Sequence, residues 1–344
     1  MKLIVTIDTE EDNWGRYSAH NNPVTNIQQI IPLQKLFDEF GVKPTYLVNY
    51  PVSTAPGSVS VLKKIMDTGS CEIGMHCHPW NTPPFDKKAA INKDETMLCN
   101  LSAAMVHEKL GVLYEAIEKN FDIVPFSFRA GRWGFSREVA RWLVQSGFRV
   151  DTSITPYVDW ESCHESNFSQ FSPEPFWFHV DDDFRAQGKN RLLEVPASID
   201  FLQNNSRLCQ KIMKACEKPF VRRMHMKGVL DRLGLVNKIW LSPEMEDFTS
   251  MKRLARSMER KKYPCVNFFF HSNTLLPGLS PFTRSWKDVD VFIQKIRRFL
   301  VFAQEAGWKS STLSQFAQEY ADQENKEPMK FFDSPGPFIS NFNN

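Results

Sequence analysis

Met1-Lys2-Leu3-Ile4-Val5-Thr6-Ile7-Asp8-Thr9-Glu10-Glu11-Asp12 opens the chain as a β-branched apolar run that stops at four acids within five positions. A strand buried on both faces reads as such a run, and carboxylates directly after it fall at a functional strand end. Residues two apart point to the same side of an extended chain, so Asp8 and Glu10 can converge on one point. Outward from this strand the pattern alternates. Apolar residues at helical spacing from Asn26 to Phe40 end at Gly41, where a C-cap glycine belongs, and Thr45 to Tyr50 reads as a second strand. Val59 to Asp67 is helical, Cys71 to Met75 extended, Asp94 to Lys119 helical, Val124 to Phe128 extended and Ser136 to Ser146 helical. Strands follow at Phe148 to Ser153, Leu193 to Pro196, Ile239 to Leu241, Cys265 to Phe270 and near Ser311. Helices follow at Ser206 to Cys216, Phe220 to Leu233, Asp247 to Lys261, Trp286 to Ala306 and up to Tyr320. About seven β/α units in one chain predict an α/β protein built as a barrel rather than an open doubly wound sheet.

With 344 residues, 42% of them hydrophobic, the chain can bury a large core. No repeat or Gly/Ser linker divides it, so one domain is expected over residues 1–322, followed by a tail, 323–344. Lys plus Arg (42) nearly balances Asp plus Glu (40), which leaves no overall field to drive it onto nucleic acid. Seven cysteines without a CxxC pair fit reduced thiols. The first apolar run is too short for a signal peptide, and no stretch reaches the roughly 20 apolar residues of a membrane span. A cytoplasmic protein, at most peripheral to a membrane, is expected. The basic stretch 222–227 and Arg260-Lys261-Lys262 fit solvated helix faces at least as well as a contact with lipid phosphates or a nucleotide-sugar. The loop 157–188, rich in aromatics and acids, either shapes a cleft or packs on the barrel rim.

Three further strand ends carry chemistry. In Glu72-Ile73-Gly74-Met75-His76-Cys77-His78-Pro79-Trp80 a short strand delivers two imidazoles at two-residue spacing, and two histidines with a carboxylate leave an open position on zinc. In Phe128-Arg129-Ala130-Gly131-Arg132-Trp133-Gly134 a strand enters a tight turn whose glycines permit close backbone approach, and Arg129 can hold Asp8 ionised. Arg132 reads as a charge on the rim of a cleft. In Val266-Asn267-Phe268-Phe269-Phe270-His271 an almost wholly apolar strand ends in one histidine, for which Asp151 is the expected carboxylate partner and Asp159 the next.

In this order the segments resemble the polysaccharide deacetylase family, also called the NodB-homology family or carbohydrate esterase family 4, from Met1 to about Phe316. Its Thr-Phe-Asp-Asp-Gly motif looks like Thr6-Ile7-Asp8-Thr9-Glu10, and its Arg-x-Pro-x-Gly motif is similar to Arg129 to Trp133 without the proline. Its Leu-x-x-His histidine falls on His271. Trp80 occupies the second place of its His-x-x-x-His, so His78 would have to substitute there. The runs His76 to Asn81 and His271 to Gly278 resemble most a WalW-like subset associated with cell-surface polysaccharide synthesis. The resemblance implies a distorted (β/α) barrel that removes an N-acyl group, N-acetyl above all, from a sugar or glycan, nucleotide- or lipid-linked in some cases, with a divalent metal, usually Zn2+. It implies Glu10, His76 and His78 as metal ligands, Asp8 as base, His271 as acid with Asp151 behind it, Arg129 in a supporting role, and Trp80, Arg132 and Trp133 near the substrate. Other readings stay open: a metal-free amidase on the same barrel, a glycoside hydrolase using Asp8 and Glu10, or a non-catalytic glycan-binding protein.

Overall fold

The N-terminal apolar run forms β1 (Lys2–Thr9), buried from Leu3 onward and hydrogen-bonded on both sides, which leaves it no solvent-facing side. In the computed structural model, which describes residues 1–85, 91–160, 166–180, 191–216, 228, 230 and 232–324, β1 lies between β2 (Thr45–Val48) and β10 (Cys265–His271). The sheet continues through β3 (Glu72–Cys77), β4 (Ser127–Ala130), β5 (Val150–Asp151) and β7 (Arg191–Glu194), all parallel. Among the described residues these seven neighbouring parallel strands match the expected number of β/α units. An antiparallel edge strand, β6 (Phe176–His179), pairs with β7, and β11 (Lys309–Ser310) joins the start of β1. The ribbon β8 (Ile199–Phe201) and β9 (Lys238–Trp240) spans the gap between β7 and β10: Ser198 Oγ accepts from the Asn267 N–H at 2.8 Å, and Leu241 O from the Phe269 N–H at 3.2 Å. The sheet is therefore a distorted barrel.

Helices cover its outside. The strand Cys265–His271 shows the two-sided logic of such a wall: Phe268 and Phe270 point outward onto the helix Trp286–Glu305, where Phe268 stacks on Phe299 with centroids 4.8 Å apart and Phe270 meets Phe292 edge-on at 5.4 Å. Alternation turns Asn267 inward. There its Nδ2 donates to Thr152 Oγ1 and its Oδ1 accepts from Thr6 Oγ1, both at 2.8 Å, so the barrel centre holds a polar network.

Several expected elements end elsewhere. The long helix begins at Ala103, after Ser102 caps it by accepting from the Met105 N–H, and the preceding stretch from Asp94 forms two short 3-10 turns. The loop 157–188 contains β6, whose Phe178, with Phe168 and Phe171, joins the core. The last helix, Leu313–Glu324, runs past the expected boundary at 322; the rest of the tail, most of the helix expected over Phe220 to Leu233 and the basic stretch 222–227 lie outside the described residues. Cys71, Cys77, Cys209, Cys216 and Cys265 are free thiols, but Cys99 is disulfide-bonded, which overturns the expectation of reduced thiols at that position because spacing alone does not show which cysteines meet in space. Among the described residues no helix is long and apolar enough to cross a membrane.

Candidate active site

Parallel register brings the strand ends to one edge. Asp8 lies directly beside His271 on neighbouring strands, and His76 directly beside Arg129. This edge forms the floor of a cavity of about 340 Å³.

On one side of the floor, Glu10, His76 and His78 present one ligand atom each, all within 4.8 Å of one another. Glu10 Oε2 lies 3.6 Å from His76 Nε2 and 3.2 Å from His78 Nε2. Each ring is fixed from behind, as metal-binding imidazoles are. His76 Nδ1 lies 3.0 Å from Arg129 O and His78 Nδ1 3.2 Å from Glu11 Oε2, so an Nδ1–H in each ring leaves the Nε2 lone pair facing Glu10. Glu10 Oε1 accepts from Asn273 Nδ2 at 2.8 Å, which orients the carboxylate. Burial alone would raise the pKa of Glu10; when the imidazoles instead carry Nε2–H, the hydrogen bonds they donate to Glu10 hold it well below the usual range. Two imidazole nitrogens and a carboxylate oxygen, aimed at one point and leaving further positions open, fit a divalent cation of the zinc type.

On the other side, Arg129 is fully buried and its donors are spent on fixed partners: Nη1 on Asp8 Oδ1 at 2.6 Å, Nη2 on Thr6 Oγ1 at 2.8 Å, and Nε on Thr152 O at 3.1 Å. Burial would raise the pKa of Asp8, yet the guanidinium beside it holds the carboxyl below its ordinary value. The second Asp8 oxygen lies 3.5 Å from His271 Nε2.

The partner of His271 is Glu244, not Asp151. Glu244 Oε2 lies 2.9 Å from His271 Nδ1, while its Oε1 accepts from the His271 N–H at 3.0 Å and from Thr274 Oγ1 at 2.6 Å. Burial would lower the pKa of the imidazole, but Glu244 above all brings it up to about 9. Asp151 is turned elsewhere: its oxygens accept from Ser153 Oγ at 2.7 Å and the Ser153 N–H at 3.0 Å, and it shares its buried surroundings with Glu194. Asp159, the other expected partner, accepts from Asn167 Nδ2 at 2.9 Å.

The acid cluster after β1 divides its labour. Glu11 supports His78 and also accepts from Trp80 Nε1 at 3.1 Å; Asp12 pins the following loop by accepting from the N–H and Oγ1 of Thr25 and from Asn26. Trp80 stacks on His78 at 4.0 Å, so this indole braces that imidazole as well as lining the cavity. Trp133 and Arg132 line it too, from a backbone that is left-handed at both residues, φ 60° and 53°. Sequence reading missed Glu244, Glu11 and Asn273 as site residues. Glu244 follows the strand Ile239 to Leu241 by three positions, so the rule that singled out Asp8, an acid just past a strand end, was available for it.

No protein-family model and no curated protein matches the sequence. Solved structures do. The chain is similar to a protein from Parabacteroides distasonis described as a glycoside hydrolase/deacetylase, with 11% identity over 94% of this chain and 72% of that one and a TM-score of 0.57. It is also similar to proteins described as polysaccharide deacetylases from Mycobacterium smegmatis (14% identity, 94% and 91% covered, TM-score 0.51) and Pseudomonas aeruginosa (11%, 96% and 92%, TM-score 0.51). At such identities the likeness is one of fold, and it agrees with the distorted barrel that the family resemblance implied.

Proposed function

We propose that the chain is a metal-dependent hydrolase that removes an N-acyl group, most simply N-acetyl, from a sugar or glycan. The observation that carries the reading is the convergence of Glu10, His76 and His78 on one point of the cavity whose floor also holds Asp8 and His271. Glu10, His76 and His78 would hold a divalent ion, zinc being the one the donor set suits, which would supply Lewis acidity and lower the pKa of water there toward neutrality. Asp8, ionised and fixed by Arg129, takes the proton of the attacking water. His271, kept protonated at neutral pH by Glu244, delivers a proton to the departing amine, which cannot leave as an anion. The aromatic walls give a sugar ring faces to stack on. The runs around His76 and His271 support placing the reaction in cell-surface polysaccharide synthesis.

The glycosidase reading needs one carboxyl group held protonated as the acid. Both Asp8 and Glu10 are held ionised, so neither fits that role. Metal analysis of the purified protein, together with acetate release from N-acetylated sugars, tests the proposal. The expected result is about one equivalent of divalent metal in the wild type and none in His78→Ala or Glu10→Ala. Bound metal unaffected by both substitutions, or acetate release from protein stripped of metal, would sink it.

A further inference from the structure

The carboxylates that line the cavity are each committed. Asp8 pairs with Arg129, Glu10 with His76 and His78, Glu11 with His78, and Glu244 with His271. Arg132 also lines the cavity, and among the described residues no carboxylate lies within ion-pair reach of it. Its guanidinium is anchored on one edge only, where Nη1 donates to Thr96 Oγ1 and, at 3.3 Å, to Lys93 O, both neutral. The N–H groups of Nε and Nη2 have no acceptor among the described residues. The planar group lies over the Tyr17 ring, 5.3 Å from its centroid, and Tyr17 in turn meets Trp80 edge-on at 4.9 Å. The cation is thus fixed within two rings of the ligand His78. Arg132 stands on a left-handed backbone, a conformation a non-glycine residue keeps only where the surroundings impose it.

A guanidinium with one edge anchored and the other open presents the bidentate face that matches a carboxylate or a phosphate. We propose that Arg132 recognises an anionic group on the substrate, so that the acylated sugar this cavity takes is a charged one. The identity of the rest of the substrate rests on the deacylation reading; the charge rests on Arg132.

Three probes separate the sources of the charge: N-acetylglucosamine, its 1-phosphate, and 2-acetamido-2-deoxyglucuronic acid. Binding to the metal-loaded protein is followed through quenching of the cavity tryptophans, and acetate release is measured alongside. We expect at least one anionic probe to bind about tenfold or more tightly than the neutral sugar, with the preference weakening as salt is raised. Arg132→Gln should bring the ratio of affinities near unity, and Arg132→Lys, which keeps the charge and loses the fork, should restore part of it. Equal binding of all three probes by the wild type, no binding of either anionic probe, or a preference that survives Arg132→Gln overturns the proposal. Anion-selective binding without acetate release from any probe would instead remove the deacylase reading and leave Arg132 its role. Acetate release without anion preference would do the reverse.

Discussion

His271 shows how far neighbours set the chemistry of one residue. An isolated imidazole titrates near 6.5 and is mostly discharged at pH 7; Glu244, at 2.9 Å, brings this one to about 9. In its proposed role as general acid His271 must enter the reaction protonated, so activity should be held below about pH 9 and lost as the pH rises through it. Glu244→Gln should move that alkaline limb of kcat/KM down toward 6.5, and His271→Ala should lower kcat by about 10²- to 10⁴-fold. A pH–rate profile reads the first directly: a limb that stays put in Glu244→Gln would show that the carboxylate merely packs there. Asp8, His76 and His271 were legible as chemistry-bearing residues because each terminates an apolar run. Glu244 was not singled out, since it sits in a loop beyond its strand, and its alignment with His271 Nδ1 depends on how that loop folds back.

The strand end and the turn after it act together. Parallel register lines up Asp8 with His271 and His76 with Arg129, so one slip of a strand would separate a proton carrier from its partner. The turn after β4 presses on the candidate ligand His78 and the residue before it: a Cβ at Gly131 would stand 2.5 Å from both Cys77 O and His78 Cδ2, closer than real contacts allow. Its two glycines serve close approach, as the sequence suggested, while the left-handed conformations fall on Arg132 and Trp133 between them. Gly131→Ala should therefore displace His78 and weaken metal binding by about 10- to 100-fold, with the fold retained. Competition with a metal-sensitive dye measures it, and an affinity equal to wild type would mean that the turn yields without disturbing the ligand.

Across the whole barrel, buried polar groups join strands that are far apart in the chain. Arg129, Thr6, Thr152 and Asn267 link β1, β4 and β10 with the residue that follows β5, all through hydrogen bonds in the barrel centre. Beside them Asp151 and Glu194, register partners on β5 and β7, are buried as a carboxyl pair, and burial raises both pKa values, with the charge of Asp151 raising that of Glu194 further. For acids with a raised folded pKa, the favourable contribution exists below the unfolded value, near 4, and is lost as pH rises toward the folded value. Glu194→Gln can keep the hydrogen bond from the Ile154 N–H and offers Asp151 a donor, so it should stabilise the protein by on the order of 1–2 kcal/mol at pH 7 and by little at pH 4. Thermal unfolding across that range checks it. A gain that does not grow with pH would show that the pair carries no titration cost.

Hydrophobic periodicity by itself determined the α/β class, the number of parallel units and the edge at which chemistry gathers, because strand burial and helical spacing are local properties written every two or three to four residues. It also determined Asp8, His76, Arg129 and His271 as residues at strand ends. Tertiary structure alone decided which acid meets which histidine: Glu244 rather than Asp151 behind His271, and Glu11 behind His78. It alone turned Asn267, set in an apolar run, into the centre of a polar network and, among the described residues, left Arg132 without a carboxylate in ion-pair reach. Those outcomes depend on loop paths and on contacts between residues tens to hundreds of positions apart, and no local pattern encodes a distance across the barrel.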